Sequence, residues 1–263
     1  MGTNRTSKEE KERKAAEKLE KKLARRMSKR TSSTELERNE EPILEKLPKK
    51  VLIVCEGENT EPSYFKQLAS FYKLTFIDTK NIIGTGYTQK RVVEEAEKLE
   101  EAERLSSREN FDEVWCVFDH DPKPDNPTQS QNFNAAIVMA ESKGFKVAYS
   151  NEAFEFWIIL HFEDHQGAAM DRRLYYDKIN SYLKEHNLEY NEESKFITPE
   201  IFEVLQAIDV KTNKVRQDLA VERAKRIHER CVKDDPSRSN TAAEQSSTTV
   251  FKMIERFILK VKK

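Results

Sequence analysis

The chain has 263 residues, 35% of them charged and 37% hydrophobic, a length that fits one large domain or two small ones with a real core. Six Gly, eight Pro and three Cys exclude a collagen and a disulfide scaffold, and so few thiols point to reduced cysteines and a cytoplasmic chain. With 46 Lys and Arg against 47 Asp and Glu, the total charge gives no reason to expect a polyanionic partner.

The charge is divided along the chain. Residues 1–50 carry 16 Lys and Arg against 10 Asp and Glu, a net of +6, and the remainder carries −7. Residues 1–48 therefore read as a basic arm before an acidic body. From Ser7 to Arg30 the arm is rich in helix formers, but Leu19, Leu23 and Met27 make only a thin stripe, too little to fold alone. It is either a solvated, partly helical tail or an arm that touches nucleic acid. No apolar stretch follows the N-terminal charges, and the longest apolar run, Phe154 to Leu160, is interrupted by Glu155; neither a signal peptide nor a membrane span is expected.

The body opens on Val51-Leu52-Ile53-Val54-Cys55, an unbroken apolar run that predicts a strand buried on both faces. Residues 61–74 repeat Tyr64, Phe65, Leu68, Phe71 and Tyr72 behind Pro62, a helix. A second strand is predicted at residues 75–78, then a loop holding Gly84 and Gly86. Residues 88–105 form a second helix through Val92, Val93, Ala96 and Leu99. Residues 113–118 read as the third strand, 133–143 as a helix ended by Gly144, and 145–149 as the fourth strand. This alternation predicts an α/β fold, a parallel sheet flanked by helices, over residues 49–165. A helix around residues 154–161, apolar nearly all round, takes its N-cap from Ser150 or Asn151. Residues 166–263 read as a mainly helical extension: helices at 171–190, 199–210 and 213–233, a polar loop at 234–248, and a last helix at 250–260 capped by Thr248-Thr249.

In such a sheet, ligands gather beyond the carboxyl ends of the strands. The first strand ends in Cys55-Glu56-Gly57 and the third in Asp119-His120-Asp121. Glu56, Asp119 and Asp121 would then project from one edge, with His120 turned away. Carboxylates converging there repel unless a cation neutralises them, and hard oxygen ligands suit Mg²⁺ or Mn²⁺. Gly57 is expected to leave room for an approaching phosphate. Glu155, in an apolar stretch, is costly to bury unless compensated. It either faces this cluster, as a ligand or as partner of a Lys or Arg, or makes a structural ion pair. Residues 213–233 carry Lys225 and Arg226, which either lie on a solvated face or turn toward the acids to hold a substrate phosphate. His161 and His165 have the spacing of a zinc pair without the glutamate of that motif, and no cysteine stands where a nucleophile would.

Residues 51–61 (VLIVCEGENTE), 114–121 (VWCVFDHD) and 150–162 (SNEAFEFWIILHF) resemble three blocks of the RloB-like family, bacterial proteins encoded near restriction loci and counted with phage defence. Residues 239–259 are similar to that family's closing Thr-containing helix. The first two blocks also resemble the Toprim domain of topoisomerases, primases, small-RNA maturases and OLD-type nucleases, with a Glu after one strand and Asp-x-Asp after a later one. The resemblance implies that Glu56 serves as general acid or base, in some members as a metal ligand, and that Asp119 and Asp121 bind Mg²⁺. No Tyr stands out as a strand-passage nucleophile, so hydrolysis is the expected chemistry. The activity this implies is that of a Mg²⁺-dependent nuclease cutting RNA, tRNA included, or DNA in antiphage defence. A partner protein of the defence system and self-assembly are further expectations. Two readings stay open beside it: a non-catalytic sensor or adaptor that binds nucleotide or nucleic acid, and a replication or repair factor such as a primase.

Overall fold

The computed structural model describes residues 47–107, 109–122 and 128–259, and the readings of the basic arm fall outside them. The described residues form one compact unit. Val51–Cys55 (β1) pairs in parallel with Ile82–Gly84 (β2) on one side and with Glu113–His120 (β3) on the other, and β3 pairs with Lys146–Asn151 (β4). The result is the expected α/β architecture, a parallel sheet in the order β2-β1-β3-β4 flanked by helices.

Alternate residues of β1 serve opposite faces, which is why the run is apolar throughout. Leu52 and Val54 join Cys116 and Phe118 against Gln89–Ser107 (α2) and Gln129–Ser142 (α3). Val51, Ile53 and Cys55 join Trp115 and Val117 against Thr60–Phe71 (α1). That second face is continuous with the interior of the extension: Glu155–Phe162 (α4), Tyr175–Leu183 (α5), Pro199–Gln206 (α6), Arg216–Asp234 (α7) and Val250–Ile254 (α8) all contribute side chains to it. The extension and the sheet thus share one core. No helix among the described residues is long and apolar enough to cross a membrane.

Several local expectations are corrected. The second strand is not at residues 75–78. That segment buries Ile77 and makes a single backbone link to β1, Val51 N–H to Phe76 O at 3.1 Å; pairing begins after a 3₁₀ turn, Thr79–Asn81. β2 ends on Gly84 because a Cβ there would stand 2.7 Å from the Glu58 backbone. A two-stranded hairpin, Ile208–Asp209 (β5) with Lys214–Val215 (β6), cuts between α6 and α7. Thr249 stands at the N-cap position of α8 but its side chain does not cap the helix; with Thr248 it lies along the outer edge of β4. Asn151 N–H donates to Ser247 O and Thr249 N–H to Tyr149 O, both at 2.8 Å, and Tyr149 N–H donates to Thr249 Oγ1 at 2.9 Å. An edge that would otherwise offer unpaired backbone groups is thereby closed.

Candidate functional site

The last ladder pair between β1 and β3 is Cys55 with Val117, and β3 runs on to His120. The Asp119 N–H therefore lies past the end of β1, and the Glu56 carboxylate takes it, Oε2 accepting at 2.9 Å. Gln89, the first residue of α2, bridges the same two strand ends: its Nε2 donates to Glu56 Oε1 at 3.1 Å and to Asp119 O at 2.9 Å. Asp119 Oδ2 in turn accepts from Phe154 N–H at 3.0 Å, at the start of α4. Ser150 and Asn151, expected as that helix's cap, are instead residues of β4. His120 points to the other face as expected, held by Asn151 Oδ1 and Ser130 Oγ at 2.9 Å each.

Glu56, Asp119, Asp121 and Glu155 line one cavity of about 500 Å³, together with Gly57, Glu61, Arg172 and Lys195. The expected acids are thus brought together, and four residues not anticipated from sequence join them: Glu61, Gln89, Arg172 and Lys195. Glu61 lies at the end of the run VLIVCEGENTE, one helical turn beyond Gly57, which is the signal that could have found it. Its Oε1 accepts from Gly57 N–H at 3.1 Å, and a Cβ at position 57 would stand 2.2 Å from its Oε2. The room that Gly57 leaves is therefore filled by Glu61 and not kept for a phosphate.

Asp121 is paired with Arg172 at 2.5 Å. The backbone of Arg172 is set by Glu152, whose Oε2 accepts from Arg172 N–H at 3.1 Å. Glu152 adopts a left-handed φ of 75° just past β4, with its own N–H on His120 O at 2.7 Å, a costly conformation held by contacts on both sides. Among the described residues, Glu155 has neither Lys nor Arg as its bonded partner. It is buried, and its Oε1 accepts from Tyr190 O–H at 2.9 Å, Tyr190 itself being hydrogen-bonded to Thr60 Oγ1 at 3.0 Å. Lys195, with a left-handed φ of 50°, holds its ammonium 5.9 Å from the Tyr176 ring centre.

So much negative charge in one partly dry place is self-opposing. Burial, then the neighbouring Glu61 and Asp121, raise the Glu56 carboxyl to about 7. Burial and Glu155 raise Glu61 to about 7 as well, and burial with Glu61, Glu56 and Glu155 drives Asp119 well above the usual carboxylate range. At Arg172, burial works against the charge but is outweighed by Asp121, Asp119 and Glu155.

Lys225 and Arg226 are not part of the cavity. Lys225 pairs with Glu255 at 3.1 Å and Arg226 with Asp164, on a half-exposed face. His161 and His165 do not form a pair: His161 is buried with Nδ1 on Trp157 O at 2.9 Å, and His165 Nδ1 accepts from Gly167 N–H. Cys55 and Cys116 are buried inside their strands, and burial pushes the Cys116 thiol up to about 12. Among the described residues, no three His, Cys, Asp or Glu side chains stand grouped to hold an ion.

No curated protein and no solved structure matches the chain. One family model does, that of the RloB-like protein, over residues 51–257, which takes in both strand ends, α1, α4 and every helix of the extension as far as α8. The carboxylate cavity and the cations that line it all fall within that span, and the chain belongs to the RloB-like protein family.

Proposed function

We propose that the chain is a divalent-metal-dependent nuclease that hydrolyses phosphodiester bonds in RNA or DNA, in the service of bacterial antiphage defence. One observation carries the reading: Glu56, Glu61, Asp119, Asp121 and Glu155 share a cavity beyond the carboxyl ends of parallel strands, and three of them resist ionisation there. The donor set is all carboxylate oxygen, which fits Mg²⁺ or Mn²⁺ and no softer metal. In the metal-free arrangement no three of these carboxylates are grouped around one point, so an ion would have to draw them in: Asp119 and Asp121 would hold it, with Glu56 and Glu155, and Glu61 would be available to complete its oxygen shell. Bound there, it would offset the charge that a phosphodiester gains as water attacks.

The chain's own residues supply the rest. Glu56, its Oε2 fixed by the Asp119 N–H and its carboxyl raised by burial in the metal-free cavity, is placed for proton transfer. Gln89 keeps that carboxylate aimed by bridging it to the Asp119 carbonyl. Arg172 and Lys195, both lining the cavity, are the cations nearest to where a phosphate would enter. Incubating the chain with labelled tRNA, single-stranded RNA and DNA in Mg²⁺, with an EDTA control, tests this. Cleavage in Mg²⁺ that disappears in EDTA and in Glu56→Ala is expected; wild-type rates from Glu56→Ala would refute the site.

A second reading, a non-catalytic sensor that binds nucleotide or nucleic acid in a defence complex, draws support from the Asp121–Arg172 pair, which engages an expected ligand. Tight binding in the same assay with no cleavage of any substrate would favour it.

A further inference from the structure

Six carboxylates, Glu58 among them, line one cavity and require positive charge, and in this chain Arg172 supplies part of it. Its guanidinium meets Asp121 at 2.5 Å, and both side chains remain about one-third exposed, 34% and 32%. The two ends of Arg172 are held very differently. Its backbone is pinned by the Glu152 carboxylate, and the 3₁₀ turn that begins there, Arg172–Leu174, is capped by Asp171 accepting from Arg173 N–H. The guanidinium rests on a solvent-facing ion pair, an interaction of small net worth that exchanges readily. Lys195 lines the same cavity from a separate segment, close enough to Glu61 for its charge to act on that carboxyl.

A divalent ion binding at Asp121 competes with the guanidinium for the same oxygens, and the two cations repel. We propose that Arg172 exchanges partners: it neutralises Asp121 until a divalent cation takes that carboxylate, and the freed guanidinium then joins Lys195 in holding a phosphate of the nucleic acid. This rests on the nucleic-acid reading above and adds a coupling to it. Metal and phosphate binding each strengthen the other, because metal releases the group that phosphate needs, and the effect is reciprocal. A planar guanidinium suits the task, since its paired N–H groups match a phosphate as well as a carboxylate.

Fluorescence anisotropy of a labelled single-stranded oligonucleotide, in RNA and DNA versions, tests the exchange without requiring turnover. In EDTA, Asp121→Asn leaves Arg172 unpaired and should bind the probe roughly fivefold or more tightly than wild type. Adding Arg172→Ala to Asp121→Asn should cancel that gain, whereas adding Lys225→Ala, remote from the cavity, should not. By calorimetry, Arg172→Ala should bind Mn²⁺ alone at least as tightly as wild type, since its competitor is gone. Both side chains are partly exposed, and thermal melts identify any variant that fails to fold; Arg172→Gln then replaces Arg172→Ala. Unchanged probe affinity in Asp121→Asn, a gain that survives loss of Arg172, or loss of Mn²⁺ binding in Arg172→Ala overturns the exchange alone. Failure of every chain to bind either probe, in EDTA or Mn²⁺, overturns the nucleic-acid reading with it.

Discussion

Glu61 occupies the space that Gly57 leaves: a Cβ at position 57 would stand 2.2 Å from Glu61 Oε2, while the Gly57 N–H donates to Glu61 Oε1 at 3.1 Å. The loop leaving β1 and the first turn of α1 are therefore fitted to each other through a carboxylate. Gly57→Ala should push that carboxylate aside at a stability cost of about 1 kcal/mol, since only the end of a side chain must move. Mn²⁺ affinity should fall roughly tenfold. Gly84→Ala meets Glu58 backbone at 2.7 Å instead and should cost about 1–3 kcal/mol. Urea melts beside Mn²⁺ titrations separate the two; equal stability losses would count against the distinction.

The pH dependence of stability should carry the signature of the crowded acids. Glu61, at about 7 in the folded chain, binds its proton more tightly than at the ordinary 4.5, so its contribution to stability is present below 4.5 and is lost as pH rises through 7. Metal-free Glu61→Gln should melt with wild type at pH 4.5 and a few degrees above it at pH 8. His161 and His228, lowered by burial to about 4 and about 3, act the other way, losing stability as pH falls below 6.5; they are present in both chains and drop out of the comparison. Scanning fluorimetry in EDTA makes the measurement, and coincident curves at pH 8 would contradict it.

Tyr190 holds Glu155 in place and is itself fixed by Asn180, which accepts from Tyr190 N–H at 2.7 Å. Tyr190→Phe should cost about 1–3 kcal/mol, the loss of a hydrogen bond to a buried carboxylate. In a Glu155→Gln background the cost should shrink, and a double-mutant cycle with no coupling would show that the two residues act independently.

The cover on β4 is open to a similar test. Thr249→Val keeps the shape but removes the acceptor for the buried Tyr149 N–H, at a cost of about 1–3 kcal/mol. Ser237→Ala, on an exposed loop, should change little and serves as control. Comparable denaturation midpoints for the two variants would deny the edge segment its role.

Deleting residues 1–45 removes 13 Lys and Arg with 10 Asp and Glu, a net of +3. Nucleic-acid binding should weaken and its salt dependence flatten, because fewer counterions are released, while Mn²⁺ binding stays unchanged. An unaltered salt slope would leave the arm without a part in binding.

The central strands and their terminal acids were legible because each strand is a short apolar run stopped by a carboxylate: VLIVC before Glu56, and EVWCVF before Asp119. β2 was not, since Ile82-Ile83-Gly84 is too short for a periodic signal and the preceding Thr75-Phe76-Ile77 carries a better one. β5 and β6, two residues each, fall below any pattern. Arg172 and Lys195 were invisible for a different reason. They reach the acids through contacts spanning tens of residues, and nothing local sets them apart from the other cations of a chain that is 35% charged. Lys225 and Arg226 drew notice for that same lack of contrast and proved to be paired at the surface.

The segment that closes β4 is made 100 residues after the strand it covers, the separation between Tyr149 and Thr249. During synthesis, the acids at the strand ends emerge well before Tyr190, Lys195 and the edge cover do. At roughly 5–20 residues per second, the ribosome takes on the order of 5–20 s to cross that gap. Throughout that interval the nascent sheet has an open ladder and an unfinished cavity, the period of greatest exposure to strand-edge aggregation. For a chain proposed to cut nucleic acid, it is also a period of harmlessness to the messenger RNA and tRNA that surround its birth.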